Sequence, residues 1–106
     1  MYVVLCNCSS EEARPLANAL VSESLAACVN ILPGVTSIYR WEGQLHEDQE
    51  STLLIKTSAS KAKALGERIR ELHSYDTVEI LALPVDKEHS DPRYLAWVSA
   101  SCGGVL

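Results

Sequence analysis

Residues 28–57, CVNILPGVTSIYRWEGQLHEDQESTLLIKT, have the pattern of one long β-hairpin. Val35-Thr36-Ser37-Ile38-Tyr39-Arg40-Trp41 is rich in β-branched and aromatic residues, which sit well on a pleated surface. Glu42-Gly43 is the expected tight turn, followed by a polar stretch, Gln44 to Ser51, and then the apolar Thr52-Leu53-Leu54-Ile55. Each arm then has about 14 residues, or about 45 Å of strand at roughly 3.3 Å per residue. A domain of 106 residues is too small to cover so long a ribbon, so its free end is expected to meet another chain. Pro33-Gly34 interrupts the first arm. Proline cannot donate to a ladder, which puts that arm at a sheet edge or makes it bulge there. The second arm has neither Pro nor Gly and can be central.

Working outward, Tyr2 to Cys8 is nearly all apolar and reads as a central strand buried on both faces. Ser9-x-x-Glu12 fits a capping box for a helix with Ala13, Leu16, Ala17, Leu20 and Val21 on one stripe, fading near Glu23-Ser24. Pro15 falls just beyond its first turn. Beyond the hairpin, Ser58 or Ser60 opens a second helix, with Ala62, Leu65, Ile69 and Leu72 inward and a charged outer face. His73 to Thr77 reads as a loop and Val78 to Val85 as a strand, its Pro84 marking an edge. Ser90-Asp91-Pro92 starts a short last helix that carries Tyr94, Trp97, Val98 and Ser101 on one face and ends at Gly103-Gly104. Right-handed crossovers turn this β-α-β-β-α-β-α order into an α+β, ferredoxin-like βαββαβ sandwich with a C-terminal helix. One domain over residues 1–106 accounts for the chain, with the sheet in the order fourth, first, third, second.

Composition narrows the function. The chain is 47% hydrophobic and 22% charged, ordinary for a globular protein. A net charge of −5 with no basic stripe argues against nucleic acid. No apolar run is long enough to span a membrane, and the N-terminus lacks signal-peptide features. Cys6, Cys8, Cys28 and Cys102 match neither a zinc pattern nor a compact disulfide framework, so free thiols in a reducing cytoplasm are expected.

No nucleotide-binding, hydrolase or metalloprotease signature is present, and the chain is read as a non-enzyme. Cys6 and Cys8 are two apart on a strand and share a face; two such thiolates suit a soft cation, although packing alone explains such a pair more simply. In this fold reading the ends of the first strand and the second helix lie at opposite ends of one subunit, so Cys6 and His73 are expected to meet only across a subunit boundary. His46 is expected opposite Tyr39, on the face that carries Asp48 and Glu50. Glu50, Lys56 and Glu79 bring charge into or beside apolar strands, where a charge usually has a partner.

These residues together resemble the CutA family, the divalent-cation tolerance proteins, across essentially the whole chain. The resemblance is carried by Leu25-Ala26-Ala27-Cys28-Val29-Asn30, by Pro33-Gly34-Val35 through Ser37-Ile38-Tyr39-Arg40-Trp41-Glu42-Gly43, and by Glu50 with Leu54-Ile55-Lys56-Thr57. His73-x-Tyr75-x-x-x-Glu79-Ile80 and Tyr94-Leu95-x-Trp97 complete it. It implies a homotrimer joined through its hairpins, similar in plan to the PII signalling proteins and open to a further protein partner. It implies copper-ion or other divalent-cation binding, with Cys6 and His73 as metal ligands. Tyr39, Trp41, Lys56, Tyr75, Glu79 and Trp97 fall at cleft or interface positions. The alternative it carries is a PII-like regulator that binds a small ligand between subunits, with Lys56 and Arg40 holding negative charge. The chain departs from the family at Leu72, where some members have a second histidine, and at Ser74 and Val78, where prolines are usual.

Overall fold

The computed structural model describes residues 1–103; the expected helix end at Gly104 lies outside them. The elements are β1 (Tyr2–Cys8), α1 (Ser10–Ser22), β2 (Cys28–Trp41), β3 (Gln44–Thr57), α2 (Ala62–Leu72), β4 (Leu81–Pro84) and α3 (Pro92–Ser101). Glu42 and Gly43 join β2 to β3 with φ of 50° and 78°, the left-handed pair that lets a two-residue turn follow the twist of its strands. From there the ladder runs from Trp41↔Gln44 down to Cys28↔Lys56 and slips once, between Leu32 and Val35. The slip falls on Pro33-Gly34: proline has no N–H for the ladder, and Gly34 takes φ 69°.

All pairings are antiparallel, and the sheet order is β2-β3-β1-β4, as the crossover argument expects. α1 and α2 cover one face. Val4, Cys6, Cys8, Leu53 and Ile55 point into that layer and pack with Leu16, Leu20, Leu65 and Ile69. Alternation sends Val3, Leu5 and Leu54 to the other face, beside Leu81 and Leu83, which are 54% and 49% exposed. The single chain therefore has one sheet face covered by α1 and α2, and an opposite face on which Leu81 and Leu83 stay about half exposed. The distal hairpin is barer still, with Ile38 70% and Leu45 71% exposed.

The Ser9 hydroxyl caps α1 by accepting from the Glu12 N–H, and the helix runs through Pro15 without a break. Val21 is exposed instead of completing the inner stripe. Neither Ser58 nor Ser60 caps α2. Their hydroxyls bond each other at 3.1 Å, and Lys61 takes the cap position with no side-chain bond. The last strand is half the expected length: Val78 and Ile80 are apolar because they pack against the core beneath the helices, and pairing with β1 begins only at Leu81. At α3, Asp91 accepts from the Arg93 N–H with Pro92 in the first turn, and Val98 is the residue that buries, against Ala27 and Cys102. No helix among the described residues is long and apolar enough to cross a membrane.

Candidate functional site

β3 runs antiparallel to β1 and ends beside its start, at the pair Tyr2↔Thr57. α2 therefore begins at the Tyr2 end of the sheet and returns toward the Cys8 end. This corrects the expectation that the C-terminus of α2 and the end of β1 lie far apart within a subunit. His73, closing α2, sits directly on Asn7, with Nε2 2.8 Å from the Asn7 carbonyl oxygen.

That contact fixes the chemistry of His73. The Tyr75 backbone N–H donates to Nδ1 at 3.1 Å, so Nδ1 carries no proton. A carbonyl can only accept, so Nε2 carries the proton and donates it to Asn7. The side chain is fully buried and both its nitrogens are engaged. The Cys6 Sγ reaches the same Asn7 oxygen at 3.8 Å from inside the core, where the residue is fully buried. Burial pushes this thiol up to about 12, with Cys8 and nearby carboxylates adding to the effect. A copper ligand pair needs a thiolate and a free ring nitrogen. In this packed state the two residues offer neither, and they do not fit a copper centre.

The buried thiols make the fold sensitive to alkali. Cys6, and Cys8 at about 11, both lie above the ordinary thiol value of 9.0, so the neutral form is the one the fold accommodates. Their contribution is complete below pH 9.0 and is lost as pH rises through the folded-state values. Urea midpoints are expected to fall above about pH 9 in the native protein and to fall less in a Cys6→Ala/Cys8→Ala variant. Tyr75, raised to about 12 chiefly by burial, supplies part of the slope that remains. Equal slopes in the two proteins would show that the thiols ionise freely.

His73 holds the start of the α2–β4 connection against β1, and the groove begins there. It has a volume of about 790 Å³ and lies between the distal hairpin and that connection. Tyr39, Trp41, Asp48 and Glu50 line the hairpin side; Tyr75, Asp76 and Glu79 line the other, with Asn7 and Ser74 between. Tyr39 pairs with His46 across the ladder and stacks on it, as the register reading expects. Its phenol donates to Asp48, a bond that holds the Tyr39 pKa above its ordinary value. Tyr75 packs edge-on to His73 and donates to the Glu50 Oε2 at 3.1 Å. Both phenols stay protonated, and each orients one carboxylate.

The groove thus brings together four of the residues placed in a cleft from the sequence: Tyr39, Trp41, Tyr75 and Glu79. Lys56 lies elsewhere on the sheet, bonded to Asn30, and Trp97 stacks near Tyr94 on α3. Asp76 was not singled out in the sequence, and no local pattern marks it. It reaches the groove only because α2 delivers the loop to this end of the sheet. Every titratable acid or base in the lining, phenols aside, is a carboxylate: Asp48, Glu50, Asp76 and Glu79.

A model of the family described as CutA1 divalent ion tolerance protein matches residues 2–101. The divalent-cation tolerance protein CutA of Thermus thermophilus is 51% identical over 102 residues, which cover 95% of this chain and 97% of that one. The solved structure of the PII-like protein CutA from Nostoc sp. superposes with a TM-score of 0.93 at 36% identity, over 96% of this chain and 97% of that one. The periplasmic divalent cation tolerance protein CutA from Archaeoglobus fulgidus superposes with a TM-score of 0.88 at 32% identity, over 96% and 99%.

Proposed function

This chain belongs to the CutA1 divalent ion tolerance protein family, and from that premise we propose that it takes up cations in the acid-lined groove, as a homotrimer. One observation carries the reading. Glu50 is only 7% exposed, lines the groove and accepts a bond from a neutral phenol. No Lys, Arg or His pairs with it among the described residues. A carboxylate taken out of water is held at a cost unless a positive charge joins it, and three further acids share its groove. The half-exposed Leu81 and Leu83 and the exposed hairpin support the trimer, because burying a leucine contributes about 1.5–3 kcal/mol. In that assembly the groove lies at a subunit boundary. The free thiols suit a reducing cytoplasm, and we read the chain as a binding protein, not an enzyme.

Copper is included among the proposed cations. Its place in this reading is the groove's carboxylates, since Cys6 and His73 offer it neither a thiolate nor a free ring nitrogen. Calorimetric titration of the reduced protein with manganese(II) and with copper separates the two sites. Saturable binding is expected to weaken about tenfold in Glu50→Gln, the loss of one close charge at intermediate dielectric, and to be unchanged in Cys6→Ser. The opposite pattern would move the site to the thiol and sink the groove reading.

A PII-like regulatory role is a second reading, favoured by the superposition on the Nostoc protein. It calls for a cationic small ligand, since neither Lys56 nor Arg40 lines the groove to hold an anion.

A further inference from the structure

The two walls of the groove are built differently. The hairpin wall is held along its length by the β2–β3 ladder. The opposite wall is residues 74–80, which make no backbone–backbone hydrogen bond among the described residues. The His73 N–H closes α2 on the Ile69 carbonyl, and pairing with β1 resumes only at Leu81. Both ends of this wall are anchored: the His73 ring rests on Asn7, and Val78 and Ile80 pack against the core. Between the anchors, Ser74 to Thr77 are all exposed. Side chains tie them down. Ser74 donates to Glu12 on α1, and Tyr75 donates to Glu50 through its phenol and to His73 through its N–H. A surface segment held by a few such bonds opens at far lower cost than the ladder beside it.

Glu50 lies where this segment closes. β1 ends at the pair Cys8↔Ser51, so no strand flanks that side of β3 from Glu50 toward the hairpin tip. Asp48, two residues nearer the tip and on the same face, is exposed, yet Glu50 is only 7% exposed. What stands beside Glu50 in place of a strand is Tyr75, whose phenol reaches its carboxylate. We propose that Ser74 to Thr77 form a lid over Glu50, hinged at His73 and Val78, with the Tyr75 phenol as its latch. Closed, the lid shields the carboxylate; open, it gives a solute passage to Glu50 while the hairpin and α2 stay in place. The role at Glu50 rests on the reading of the groove as a cation site; the motion does not.

Amide hydrogen exchange of the full, metal-free chain, resolved by residue, tests the motion. The Tyr75 N–H is the reporter, because it is bonded to His73 only while the lid is shut. It is expected to exchange faster than the Leu53 and Ile55 amides of the ladder. Tyr75→Phe and Ser74→Ala are each expected to speed the residue-75 amide about tenfold, the loss of one hydrogen bond, and to leave the Leu72 and His73 amides unmoved. Ser74 is exposed, so its variant remains informative if Tyr75→Phe folds poorly. A residue-75 amide as slow as the ladder and unmoved by both substitutions overturns the lid. So does an acceleration that spreads equally into α2, which would make the loop part of helix fraying. Stopped-flow quenching of Trp41 by manganese(II), in a Trp97→Phe background, reads the passage. Tyr75→Phe is expected to raise association and dissociation rates together, each about tenfold, as the removal of a gate requires. A faster dissociation alone would make Tyr75 part of the binding site and overturn the gate. Exchange as expected with no manganese binding would end the groove reading and leave the lid standing.

Discussion

Leu83→Asp is expected to convert the proposed trimer to single chains at micromolar concentration. Leu83 lies on β4, pairs with Val3 and stands half exposed on the sheet face opposite α1 and α2. In one chain the substitution is mild, since the position is half exposed. In the proposed assembly each copy loses a buried leucine, about 1.5–3 kcal/mol, and gains a carboxylate that must be desolvated or kept apart from its neighbour. Sedimentation velocity of native and variant protein reads the result directly. A variant that still sediments as three chains would place the interface elsewhere, and a native protein that sediments as one chain would end the trimer proposal. Far-ultraviolet circular dichroism should change little, because the residue makes no contact with the helix-side core.

His73→Ala should be the costliest substitution near the groove, at about 2–4 kcal/mol. It leaves a buried gap and orphans both the Asn7 carbonyl and the Tyr75 N–H. His73→Gln retains a side-chain amide that can donate to Asn7 and should recover part of the loss. Urea unfolding in the absence of metal, at fixed chain concentration, measures the difference. A histidine kept only as a metal ligand would show no such cost without metal, so unchanged stability would return His73 to that role. The same loss should reach the groove, because Tyr75 then has no anchor and its phenol no longer orients Glu50.

The hairpin was legible in the sequence to the residue, because its signals are local. Glu42-Gly43 permits left-handed backbone, Pro33-Gly34 enforces a bulge, and an uninterrupted second arm can be central. Sheet order followed from which strands carry proline. Less was legible where apolar character has two causes. Val78 and Ile80 look like strand yet are partly buried against the core without pairing, and Val21 and Leu72 fit a helical stripe yet lie exposed on a single chain. The groove was half legible: its aromatic residues and Glu79 came from the family resemblance. Asp76 and the burial of Glu50 depend on where α2 ends, a matter of strand direction that no short motif encodes. The expected separation of Cys6 and His73 failed for the same reason, at the step from strand order to helix direction.

The position of β1 in the sheet has a consequence in time. It leaves the ribosome before the three strands it is sheeted with, yet its partners are residues 51–57 on one side and 81–84 on the other. β2 and β3 are adjacent in the chain and can pair within microseconds of being made. β1 has to wait for more than forty residues to be synthesised before its first neighbour exists. Throughout that interval Cys6 and Cys8, inert once enclosed, are ordinary thiols on a growing polypeptide, and it is during synthesis that a reducing environment protects them.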